Sequence, residues 1–117
     1  MASTNLATRG RFDTMRSLGF ASIGAGFMGV GSAFAYPIKL LKIVNLTNAN
    51  LIVSYDGVNN QDIVTANGGC IYDVAANKAD PAGTFQLSVG DRVYVMEETS
   101  APTSGNVYVV VVYASEN

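Results

Sequence analysis

The sequence predicts an all-β protein, a small antiparallel β-sandwich or barrel of about seven strands behind an extended glycine-rich N-terminal arm. Three observations predict it. From Ile38 onward, short runs of β-branched and aromatic residues recur at regular spacing, separated by clusters of Asn, Asp and Gly. No apolar stripe of helical period occurs after residue 40. Residues 17–38 carry no charge but hold Gly19, Gly24, Gly26, Gly29 and Gly31, too many glycines for a continuous helix. The boundary falls between residues 37 and 38, with the arm at 1–37 and the body at 38–117.

The elements of the body come in order. "IKLLKIVNL" (38–46) reads as a strand rich in branched residues, and Thr47-Asn48-Ala49-Asn50 ends it. "LIVSY" (51–55) is the second, closed by the turn pair Asp56-Gly57. "DIVTA" (62–66) and "CIYDV" (70–74) flank the turn Asn67-Gly68-Gly69. "AANKADPAG" is a loop by composition, and "TFQLS" (84–88) is a strand expected to pair with "RVYVM" (92–96) across Gly90. After the loop "EETSAPTSG" comes "NVYVVVVYA" (106–114), too continuously apolar for a strand with one wet face. It should lie centrally.

Composition excludes much chemistry. There is no histidine and a single cysteine, Cys70, so Cys/His zinc sites, Cys–His nucleophiles and a Ser–His–Asp triad are ruled out, as is an intrachain disulfide. With no histidine to lower its pKa, Cys70 reads as a small buried hydrophobe. Charge is uneven. Up to Lys42 five basic residues face one acid, whereas from Ile43 onward two basic residues face eight acids. A basic arm and an acidic body suit docking between copies of one chain. Three arginines are too few for the basic stripe of a nucleic-acid surface.

"SIGAGFMGVG" (22–31) matches the dinucleotide fingerprint at Gly24, Gly26 and Gly29. That fingerprint has meaning only after a buried strand, before a helix, and with an acid about 20 residues on. Here charges precede it, Pro37 interrupts any long helix after it, and no acid occurs between Asp13 and Asp56. No cofactor is expected. A leader or membrane anchor is the rival reading, since Ala33-Phe34-Ala35 has the A-x-A pattern, although glycine and serine weaken a spanning helix. The preferred reading is an arm lying along another surface, because its apolar side chains have no evident partner within the chain. Its contact residues are expected to be Arg9, Arg11, Arg16, Phe20, Phe27, Met28 and Phe34.

Two further clusters invite chemistry. "DGVNNQD" gathers Asp56, Asn59, Asn60 and Asp62, oxygen ligands of the kind a hard cation takes, but the spacing is not that of an EF-hand and suits turn chemistry. Tyr36, Tyr55, Tyr72, Tyr94, Tyr108 and Tyr113 could stack on sugars, but core packing is the commoner use of strand tyrosines. No pair of acids is singled out for glycoside chemistry.

The order "NLTNANLIVSYDGVNNQDIVTANGGCIYDVAANK", "LSVGDRVYV", "APTSGNVYVVVVYA" resembles small β-sandwich virion proteins of tailed double-stranded DNA bacteriophages. The matching positions are Asn45, Thr47, Ser54, Asp56, Gly57, Ala66, Gly68, Asp73, Asn77, Lys78, Gly90, Tyr94, Val95, Ser104, Gly105, Val107 and Tyr108, within residues 43–114. The resemblance implies a non-enzymatic virion part present in many copies: a neck, adaptor or tail component, or alternatively capsid cement. Its partners would be copies of itself and portal, tail or major capsid proteins, with no small-molecule substrate, nucleic acid or membrane. Rival classes are a carbohydrate-binding β module and an exported or membrane-tethered β protein.

Overall fold

A computed structural model describes residues 8–73 and 90–116, with side chains over 11–73 and 90–113. The described strands are β1 (Thr8–Phe12), β2 (Arg16–Gly19), β3 (Met28–Gly29), β4 (Ile38–Asn45), β5 (Leu51–Ser54), β6 (Asp62–Val64), β7 (Gly68–Asp73), β8 (Tyr94–Glu97) and β9 (Asn106–Glu116), with one 3-10 turn at Phe20–Ser22. They form two antiparallel sheets. One runs β1-β9-β4-β7 with β2 also on β9; the other runs β3-β8-β5-β6. This is the small β-sandwich the sequence predicts.

The alternation of each strand places the core between the sheets. Val107, Val109 and Val111 of β9 and Leu41 and Ile43 of β4 point inward and are fully buried. They join Leu51, Val53, Val64 and Val95 from the other sheet in one cluster. β9 is central within its sheet, with β4 on one side and β1 and β2 on the other, although its sandwich covers only the face of Val107, Val109 and Val111. Asn45 is the buried polar joint where the chain leaves one sheet for the other. Its amide donates to the Ala49, Val64 and Thr65 carbonyls at 2.9, 3.1 and 3.1 Å, and its Oδ1 accepts from the Thr47 N–H and hydroxyl at 3.0 and 2.6 Å. A buried side chain so fully bonded costs little and fixes one crossing path.

Residues 8–37 correct the expectation of a separate arm at 1–37. They belong to both sheets of their own chain. β1 pairs with Val112–Glu116 and β2 with Asn106–Val109, so together they cap one edge of β9. Between Phe12↔Val112 and Arg16↔Val109 this edge uses one residue more than β9 does, a bulge spanning Asp13–Met15. Further on, the Val30 and Phe34 N–H groups donate to the Val93 and Asp91 carbonyls, both at 2.8 Å, and Gly24 accepts from the Glu97 N–H at 2.8 Å. Ile23, Val30 and Phe34 complete the core. The reason is elementary: the open edges of β8 and β9 need hydrogen-bond partners, and the half-apolar segment supplies them along with side chains that fill the sandwich.

Other expectations shift in detail. β8 pairs with β5 and β3, and the strand expected at 84–88, with its pairing across Gly90, lies outside the described residues, as do Asn77 and Lys78. β5 and β6 form a hairpin closed by the Gln61 N–H donating to the Val53 carbonyl at 3.0 Å, a longer loop than Asp56-Gly57 alone implies. Gly24 and Gly26 fall in a bend and Gly29 in the two-residue β3, with no helix beginning there.

Candidate assembly surface

The seven residues expected to make contacts divide into two groups. Arg16 and Phe34 are internal, which corrects their assignment to a subunit contact. Arg16 is 8% exposed and Phe34 2%. The Arg16 guanidinium pairs with Asp13 at 3.1 Å, donates from Nε to the Ser32 carbonyl at 2.9 Å, and lies 5.1 Å from the Phe34 ring centroid. It is a latch between the β1–β2 edge and the 31–34 segment, and desolvation makes its fixed partners matter. Arg11, Phe20 and Met28 are exposed and Phe27 is half-buried. Arg9 pairs with Ser115 through its backbone, and its side chain lies outside the described ones. These groups are not one patch: Arg11 pairs with Tyr113 while the Phe20 N–H donates to the Gly105 carbonyl, eight residues away along β9 and so about 27 Å apart.

Past Ile38↔Tyr113 the strand β9 has no β4 partner, and among the described residues Ala114–Glu116 pair with Thr8–Gly10 alone. These two segments thus make a two-stranded ribbon among the described residues. Such ribbons are marginal in water without further support.

The outer face of the five-stranded sheet is apolar, a feature missed when residues 1–37 are read as the contact element. The ladders set three rows across it: Phe12, Val112, Leu40 and Asp73; then Val110, Lys42 and Ile71; then Ser17, Tyr108, Val44 and Gly69. Phe12 is 77% and Ile71 64% exposed, with Leu40, Val44, Tyr108, Val110 and Val112 half-buried. Lys42 is exposed amid them, and among the described residues the one salt bridge is Arg16–Asp13. The sequence signal was the unbroken run "VYVVVVY": only its odd-numbered valines enter this core, so its even positions line the outside.

Arg11, Lys39 and Lys42 lie on the five-stranded sheet together with the acids Asp73 and Glu116, while Asp62 and Glu97 lie on the other sheet and Asp56 and Glu98 in its loops. The 56–62 cluster is organised around backbone. Asp56 Oδ1 accepts from the Val58 and Asn59 N–H groups at 2.8 and 2.9 Å and from the Ser54 hydroxyl at 2.8 Å; Oδ2 accepts from the Asn59 amide at 2.8 Å. The Asn59 and Val58 N–H groups, then the side chains of Asn59 and Ser54, hold its carboxyl well below the usual range. No group of three metal-ligating side chains occurs among the described residues.

Burial pushes the Cys70 thiol up, with the Asp62 charge adding, the opposite of nucleophile activation. Four of the tyrosines form two ring pairs. Tyr36 stacks on Tyr113 at 4.0 Å and Tyr55 meets Tyr72 edge-on at 5.9 Å. No helix among the described residues is long and apolar enough to cross a membrane. Comparison with family models, with curated proteins and with solved structures finds no match for this chain.

Proposed function

We propose that this chain is a non-enzymatic structural subunit of a tailed-bacteriophage virion, of neck, adaptor or tail type, that works by assembling with copies of itself and with portal, tail or major capsid proteins. The observation that favours the assembly reading is the ribbon of Thr8–Gly10 with Ala114–Glu116, a pair of strands with no third strand beside it among the described residues, which a neighbour could support. The resemblance in the sequence supplies the virion setting. Its shared positions act as fold-makers here: Asn45 and Thr47 bond the sheet crossing, Ser54, Asp56 and Gly57 shape the β5–β6 loop, and Gly105 turns the chain into β9. A pattern made of turn and joint residues suits a scaffold whose product is shape.

The test is particle composition. Virions banded by density are expected to contain the chain in a fixed multiple that matches a neck or tail ring, measured by quantitative mass spectrometry. A number matching the capsid subunits would move the chain to the cement role. Particles without it would overturn the virion reading.

A further inference from the structure

We infer that Asn67–Gly68, in the turn from β6 to β7, is a self-modification site that the fold itself creates and holds closed, a latent asparagine deamidation that only opening of this turn releases. The inference goes beyond the virion reading and does not rest on it.

The turn selects the labile pair. Asn67 adopts φ 58° and is the one residue other than glycine with a positive φ among the described residues. Asparagine is among the few residues with a Cβ that visit this region readily. At Gly68 an added Cβ would lie 2.7 Å from Thr65 Oγ1 and 3.1 Å from the Thr65 carbonyl oxygen, so the turn favours glycine there. Asn-Gly occurs nowhere else in the chain. With no Cβ on the second residue, nothing shields its amide nitrogen from the asparagine side chain.

The chemistry needs only water. The Gly68 nitrogen gives its proton to solvent and attacks Asn67 Cγ. The Cγ–Nδ2 bond breaks and ammonia leaves with a proton, which closes a succinimide ring. Water then opens the ring at one of its two carbonyls. Cleavage at Cγ leaves aspartate, whereas cleavage at the backbone carbonyl leaves isoaspartate, with the main chain rerouted through Cβ. The net exchange is one water taken up for one ammonia released, and Asn67 is exposed to that water.

Hydrogen bonds on both sides of the pair hold the reaction off. The attacking nitrogen is tied, because the Gly68 N–H donates to the Thr65 carbonyl at 2.9 Å. The same carbonyl accepts from the buried Asn45 amide at 3.1 Å, and the Ala66 N–H donates to Asn50 Oδ1 at 3.0 Å. Gly68 and Gly69 stand opposite Asn45 and Val44 in the β4–β7 ladder. Deprotonating the Gly68 nitrogen breaks its bond to Thr65, and turning it onto Cγ rotates a peptide that the ladder fixes. Reaction therefore proceeds through local opening of the turn. Isoaspartate puts one extra main-chain carbon between Thr65 and Gly68, so the turn cannot close again on the same hydrogen bond. The mark is permanent.

Peptide mapping by mass spectrometry tests it, on the purified full chain held native or in guanidinium chloride at one mildly alkaline pH, in water enriched in heavy oxygen. In the unfolded chain, position 67 is expected to deamidate before any other asparagine. In the native chain the same site should react about tenfold or more slowly, a factor set by the fraction of time the turn is open. Asn50→Ala, which frees the Ala66 N–H, should speed the native reaction several-fold and leave the unfolded rate unchanged. Circular dichroism shows whether Asn50→Ala is folded, and the comparison of native with unfolded wild type decides the matter without any variant. The isoaspartate chain, separated by chromatography, should melt below Asn67→Asp, which adds the same charge without lengthening the main chain. Equal rates in native and unfolded chains overturn the inference, as does another asparagine reacting first. So do a folded Asn50→Ala with the wild-type native rate and an isoaspartate chain as stable as Asn67→Asp.

Discussion

Gly105 adopts φ 88° where the chain turns into β9, and a Cβ there would collide with the Leu46 carbonyl oxygen. Gly57 adopts φ 76°, with its added Cβ 3.3 Å from the Tyr94 ring. Left-handed backbone costs a residue with a Cβ roughly 1–2 kcal/mol, so Gly57→Val should destabilise by about that much. Gly105→Ala should cost more, because backbone cannot move aside as a ring edge can. A thermal melt checks both, with Gly105→Ala giving the larger fall in Tm. Asp56 makes a different prediction. Its folded pKa lies below the unfolded value, so its contribution is present above about pH 3.9 and is lost only as pH falls through the lower folded value. Carboxyl NMR should show Asp56 titrating below the ordinary aspartate range, and its loop amides should hold their shifts into mild acid. Asp56 and Gly57 were legible as turn formers, since Asp-Gly after a branched run has few other uses.

At the scale of elements, the segment before Ile38 behaves as strand and filler. It is held by ladder hydrogen bonds and by Ile23, Val30 and Phe34 inside the sandwich, which salt does not screen. Phe34→Ala should therefore destabilise the single chain by about 3–5 kcal/mol, the usual cost of emptying a buried aromatic site. Molar salt should leave the melting of the wild type largely intact. Denaturant unfolding of both proteins measures this, and a Phe34→Ala chain as stable as wild type would mean the ring is not in the core. The strands after Ile38 were legible to within a residue or two wherever the described residues allow comparison. β2 and β3 were not, because their signal is pairing with a distant edge: β2 joins residues 16–19 to 106–109, and a two-residue β3 has no period to read.

For the whole molecule, the chain should not fold when residues 1–37 are removed. Such a truncation strips β9 of an edge, β8 of β3, and the core of three apolar side chains. A fragment 38–117 is expected to lack the near-UV signal and amide dispersion of the full chain; a native-like NMR spectrum would show that the body stands alone. The same fact bears on the leader reading, since cleavage after Ala35 would remove Ile23, Val30 and Phe34 from the core.

Local sequence was enough to specify the class and most strand positions, because alternation, branched residues and Asn/Asp/Gly turns act over a few neighbouring residues. It was also enough to make β9 central and apolar on both sides, and to close cysteine–histidine chemistry to this protein. Where residues 8–37 lie, that Arg16 and Phe34 face inward, and that Phe12, Leu40, Lys42 and Ile71 share one outer face emerge only from the assembled sandwich. Those facts depend on which edges meet across about a hundred residues of chain. No local pattern encodes that choice, because a ladder's hydrogen bonds are the same whichever strand supplies them, and only the packing of the whole sandwich selects the partner.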